Sequence, residues 1–158
     1  EYYRIITAFF LHADINHLVN NMLILYFAGE MVEKRIGSLR FGLIYFISGI
    51  SGHIFSALYE IYGGVLVATI GASGATFGIL GALIVVMLLF RKKGMRIPVY
   101  RLIIMVALSI YSGFTSTNIN NAAHIGGLVS GVITGLVCCL LPKKYHVNSN
   151  KKGVSGAV

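Results

Sequence analysis

The chain has 158 residues, 56% of them hydrophobic and only 11% charged, with a formal net charge of +8 and a mean hydropathy of +0.81. A soluble domain is about one-quarter charged, so the composition excludes an ordinary water-soluble enzyme and implies one polytopic membrane domain. The positive charge does not describe a nucleic-acid-binding surface, because it falls in short groups between apolar segments.

Residues 1–16 read as an amphipathic approach segment whose aromatics suit a membrane interface. Five apolar stretches follow, at about 17–36, 39–61, 74–91, 98–116 and 122–141, each close to the ~20 residues that cross hydrocarbon. The first carries His17 and Asn21, four positions apart and therefore on one helical face. After the second, Gly63 and Gly64 lead into Val65–Ile70, a run too short to cross. That run is expected to dip into the membrane where protein or a water cavity covers it. The third stretch opens at Gly71-Ala72-Ser73-Gly74, and Gly74 and Gly78 begin a small-residue stripe. The fifth opens at Ala123-His124-Ile125-Gly126-Gly127 and carries a second stripe, Gly127, Gly131 and Gly135. Such stripes let membrane helices meet backbone to backbone, so the two helices are expected to pack together. Residues 1–141 form the core, and 142–158 a cytoplasmic tail expected to be disordered.

Twelve of the thirteen basic residues sit at alternate ends of consecutive stretches. Lys34, Arg35 and Arg40 follow the first. Arg91, Lys92, Lys93, Arg96 and Arg101 join the third to the fourth, and Lys143, Lys144, Lys151 and Lys152 follow the fifth. The positive-inside pattern places these groups in the cytoplasm, and 1–16, 62–72 and 112–122 outside. A multi-pass protein of the cell membrane is expected, with an upstream helix ahead of Glu1 to carry the start across. The adjacent Cys138 and Cys139 read as packing residues, since two neighbours in a span cannot form a disulfide framework.

With this topology the first, third and fifth stretches begin at the same outer level, which gathers His17, Asn21, Ser73 and His124. Polar groups at membrane depth are costly unless they serve a purpose. A serine hydroxyl needs a base within reach to attack at neutral pH, and imidazole, with a pKa of about 6.5, suits the task. Helix N-termini supply free N–H groups to an oxyanion, so the Ser73 N–H and the Asn21 amide are candidate donors. His53, in the second stretch, is the rival base. It is read as a structural hydrogen-bonding residue, because no stripe as regular as the one after His124 accompanies it. There is no His-Glu-x-x-His, and no metal site or cofactor is expected.

These motifs resemble those of the rhomboid intramembrane serine proteases, and the resemblance covers nearly the whole chain. It rests on His12-x4-His17-x3-Asn21, Glu33-Lys34-Arg35-x-Gly37-Ser38, Gly71-x-Ser73-Gly74 and Ala123-His124-x2-Gly127-x3-Gly131. It implies an all-α rhomboid-like bundle with five of the family's six transmembrane helices. It also implies a Ser73–His124 dyad without an aspartate, with His17, Asn21 and the Ser73 backbone around the oxyanion. The partners implied are transmembrane substrate proteins and the bilayer, cut near the extracytoplasmic face. Tyr3-Arg4 stands where the family usually has Trp-Arg, and Phe77 where many members have a tyrosine stacked on the base. The alternative is a non-catalytic rhomboid-like adaptor that binds transmembrane helices, although such relatives usually lack the serine or histidine kept here. A transporter would call for paired intramembrane acids, to which only Glu30 and Glu60 come close.

Overall fold

A computed structural model describes Thr7, Leu11, His12 and residues 14–64, 71–90, 98–115 and 120–142. The described residues form helices α1 (Ile15–Ile36), α2 (Ser38–Gly63), α3 (Ser73–Leu89), α4 (Val99–Thr115) and α5 (Asn121–Leu140). They coincide with the five apolar stretches to within two residues at each end. The dip at Val65–Ile70, the Tyr3-Arg4 position and the tail beyond Pro142 lie outside the described residues.

Of the five, α2 and α5 are long and apolar enough to cross a membrane, while α3 and Val99–Tyr111 are shorter apolar helices. The expectation of five spans near 20 residues is therefore met in length and apolarity by two. Thirteen of the seventeen residues of α3 are enclosed by protein. The last two turns of α1 carry Glu30, Glu33, Lys34 and Arg35, which lowers its apolarity.

Local chemistry sets the ends of the helices. Asp14 caps α1, its carboxylate accepting from the His17 backbone N–H at 2.8 Å. Gly37, at φ 93°, is the single residue between α1 and α2, a backbone geometry that disfavours any side chain. At the far end Arg40 donates to the Cys138, Leu141 and Pro142 carbonyls at 2.9, 3.0 and 2.6 Å. It thereby ties the start of α2 to the carbonyl end of α5, where a cation is favoured. The Arg35 guanidinium lies 3.4 Å over the Phe90 ring, joining the far ends of α1 and α3.

Helix α3 is the hub, packed against α5, α2, α1 and, more sparsely, α4. Its seam with α5 is built from glycine. A Cβ on Gly127 would fall onto the Gly74 carbonyl, and one on Gly131 onto the Gly78 carbonyl. One on Gly135 would come within 2.9 Å of Ala82 Cα. The pairs 74–127, 78–131 and 82–135 advance together, so α3 and α5 run parallel. Helix α2 runs antiparallel to both, with Gly52 facing Gly74 and Ala123, and Ser48 facing Gly78. Helix α1 runs parallel to α3, with His17 beside Gly71 and Asn21 beside Thr76. The N-terminal ends of α1, α3 and α5 thus share one end of the bundle, as the charge pattern predicted. Cys138 and Cys139 are half-buried free thiols packed against the core.

Candidate active site

Ser73 is the first residue of α3, behind Ala72 and a Gly71 held at φ 104°. Gly71 is required twice over. Its φ is one that side chains rarely adopt, and a Cβ there would sit 3.0 Å from His17 Cε1. The turn can therefore press its backbone against the His17 ring. No side chain caps α3, and its first turn is closed by the Thr76 N–H donating to the Ala72 carbonyl at 2.9 Å. The N–H groups of Ser73, Gly74 and Ala75 precede that bond and stand outside the helical ladder, at the positive end of the helix dipole.

On the α1 side, Asn21 is buried and its Oδ1 accepts from the Thr76 hydroxyl at 3.2 Å. Thr76, fully enclosed, shares that single hydroxyl proton with the Ser73 carbonyl at 2.8 Å. One hydroxyl thus links Asn21 to the first turn of α3. The Asn21 Nδ2 is buried without a hydrogen-bond partner, a rare condition for a polar atom and one that calls for an explanation. His12 meets His17 edge to face, with ring centroids 5.4 Å apart.

On the α5 side, His124 is buried and stacks on Phe77, with centroids 4.2 Å apart and planes 9° from parallel. Phe77 lies one turn beyond Ser73 and shares its face of α3, so the stack holds the imidazole toward that face. The glycine contact between Gly74 and Gly127 removes the side chains that would otherwise keep the two helix starts apart. The His124 Nδ1 is buried with no partner.

Gly49, His53, Gly71, Ser73, Gly74, Asn120 and Ala123 line a small cavity where α2, α3 and α5 meet. It has room for about one water. His53, the rival base, therefore shares a wall with Ser73, which the sequence reading did not anticipate. Asn120 is a second residue that reading missed. It precedes the Asn-Ala-Ala-His start of α5, and asparagine's preference for helix N-caps was the available signal. Among the described residues, no group of three or more His, Cys, Asp or Glu side chains is placed to hold a metal.

The rhomboid domain family matches residues 1–141. The chain belongs to the rhomboid family. It is 42% identical over 131 residues to rhomboid protease GluP of Bacillus subtilis, an alignment covering 83% of this chain and 25% of that protein. It is 35% identical to RHOMBOID-like protein 1 of Arabidopsis thaliana, covering 97% of this chain and 39% of that one. It is also 35% identical to the putative rhomboid protease YdcA of Bacillus subtilis, covering 87% of this chain and 68% of the other. The chain spans a quarter to two-fifths of the first two relatives' length.

Proposed function

We propose that this rhomboid chain is a serine endopeptidase that cuts transmembrane substrate proteins near the extracytoplasmic face of the cell membrane. Ser73 attacks the scissile carbonyl, and His124 takes the hydroxyl proton and returns it to the leaving amine. Water then resolves the acyl-enzyme. The oxyanion is received by the Ser73 N–H, the Asn21 amide and His17. The observation that carries this reading is the Phe77–His124 stack, one turn from Ser73 on the same helical face. The orphaned Asn21 Nδ2 supports it, since an oxyanion site needs a buried donor with nothing else to bind. The lysine and arginine distribution supports the outward direction of the site.

A second reading has one observation in its favour, the cavity wall that His53 shares with Ser73. In that reading His53 is the base and His124 a buried packing residue. The two separate in one experiment with a fluorophosphonate serine probe and a transmembrane substrate in a bilayer. Ser73→Ala and His124→Ala are expected to abolish labelling and cleavage, while His53→Ala lowers stability and leaves labelling. Loss of labelling in well-folded His53→Ala together with its survival in His124→Ala would exchange the two histidines. Near-normal cleavage by Ser73→Ala would overturn the serine mechanism.

A further inference from the structure

The α3–α5 seam brings His124 close to Ser73 but is made of glycine faces and carbonyls. The Phe77–His124 stack is one restraint across it, and the bonds that cross from α5 to α2 are a second, placed to fix the height of His124 along the helix axis. At the remote end, Arg40 holds the Cys138, Leu141 and Pro142 carbonyls. At the site end, Asn120 makes three bonds around the start of α5. Its Oδ1 accepts from the Ala123 N–H at 3.1 Å, and its carbonyl accepts from the His124 N–H at 3.2 Å. Its Nδ2 donates to the Ser56 hydroxyl, which is buried on α2. One turn along α2, Gly52 has no side chain where the Ala123 carbonyl passes, at 2.8 Å from the position of a Cβ.

We propose that Asn120 is a positioning residue for His124, fixing the axial height of the imidazole by capping α5 and tethering that cap to Ser56 of α2. The inference rests on the reading of His124 as the base. Asn120 has no part in the chemistry itself. It acts by fixing the helix start from which His124 projects one turn later. A displacement near 1 Å at a reacting group can cost about a hundredfold in rate, so a tether at this point has a measurable consequence.

The test uses the protein in bilayers, with fluorophosphonate labelling rate, kcat and KM on a transmembrane substrate, and melting temperature as readouts. Asn120→Ala removes cap and tether, and is expected to lower labelling rate and kcat roughly ten- to a hundredfold with KM unchanged. Ser56→Ala keeps the cap and cuts the tether, and is expected to lower kcat severalfold without a matching loss of folded protein. Asn120→Asp keeps the acceptor for the Ala123 N–H and replaces the amide donor with a carboxylate oxygen to which the Ser56 hydroxyl can donate, and is expected to restore most of the rate. A wild-type kcat in folded Asn120→Ala, a loss confined to KM, or no rescue by Asn120→Asp would overturn the proposal. If Asn120→Ala does not fold, an unchanged kcat in Ser56→Ala overturns it alone. His124→Ala runs alongside. Normal labelling there defeats the dyad, whereas a dead His124→Ala beside a normal Asn120→Ala defeats the positioning role only.

Discussion

Helices α3 and α4 are both apolar and both 17 residues long, yet they occupy opposite environments. Thirteen residues of α3 are buried, whereas on α4 the buried side chains among those described are Leu102 and Val106. Val99 and Ile110 extend that stripe by packing partly against the core, while Tyr100, Ile103, Ile104, Met105, Leu108, Tyr111 and Phe114 point away. The two helices differ in side-chain size, and α4 also carries Arg101 where α3 has no charged residue. Helix α3 presents Gly74, Gly78 and Gly81 to its neighbours, so other backbones close on it from several sides. Helix α4 presents large aliphatic and aromatic groups around most of its circumference, which suits contact with lipid. In a membrane, apolarity brings a helix into the bilayer, and small residues decide whether it becomes a hub. Ser73 opens the hub, and His124 lies in the first turn of α5, the helix packed most closely against it.

The comparison breaks most severely at the seam. A methyl group on Gly127 meets backbone rather than a flexible side chain, so relief requires α3 and α5 to move apart. Gly127→Ala is expected to cost about 3 kcal/mol or more, lowering the melting temperature by roughly 6–12 °C. Serine-probe labelling should fall with it, even at temperatures where the protein stays folded. Ala107→Leu enlarges an exposed position of α4 instead, and should change stability by no more than about 0.5 kcal/mol. Equal effects at the two positions would show that small residues do not distinguish the helices. Calorimetry or a thermal-shift measurement on both variants decides.

The next effect is confined to catalysis. Asn21 reaches α3 through the Thr76 hydroxyl and leaves its Nδ2 without a partner. On the proposed mechanism that donor meets negative charge only as the tetrahedral intermediate forms. Asn21→Ala should therefore lower kcat about 10²–10³-fold with little change in KM. A loss lying wholly in KM would make Asn21 a substrate-binding or helix-packing residue. Phe77→Leu is a milder probe. It keeps an apolar group under His124 and removes the stack, which is worth about 0.5–1.5 kcal/mol for aromatic pairs. A two- to tenfold fall in kcat is expected, with Phe77→Tyr remaining near the wild-type rate. An unchanged rate for Phe77→Leu would show that the stack does not orient the imidazole.

Much of this arrangement could be read from residue order alone. The apolar runs located all five helices, because hydrocarbon thickness and the intervening charges bound them sharply. The glycine stripes located the α3–α5 contact, since small residues at every fourth position have few other uses in a lipid-facing helix. Rotation about the helix axis was harder to read. Helix α2 carries a stripe of small and polar residues, Ser48, Gly49, Gly52 and Ser56, and His53 adjoins it; that stripe was the signal, passed over in the sequence, that His53 would turn toward the cavity beside Ser73. Asn120 escaped for a different reason. Its cap bond is local, but its bond to Ser56 joins residues 64 positions apart, and it exists only once α2 and α5 are packed.

The smallest expected effect gives the sharpest test of how α4 is held. Leu102 and Val106, one turn apart, are the two α4 side chains that enter the core, and Ile104 and Met105 face away from it at 51% and 64% exposure. Truncating a buried leucine costs about 2–5 kcal/mol because it leaves a void as well as losing contact. Leu102→Ala should fall at the low end of that range, since α4 meets its neighbours along one narrow stripe. Ile104→Ala and Met105→Ala remove contacts that lipid replaces, and each should stay within about 0.5 kcal/mol of wild type. Activity is the more telling readout, because none of these residues contributes to the Ser73 or His124 surroundings described above. Leu102→Ala should therefore reduce thermal stability while leaving kcat per folded molecule unchanged. A fall in kcat for Ile104→Ala or Met105→Ala at unchanged stability would show that, on the proposed mechanism, the outward face of α4 meets something other than lipid during turnover, and that the contrast with α3 holds only for the resting state.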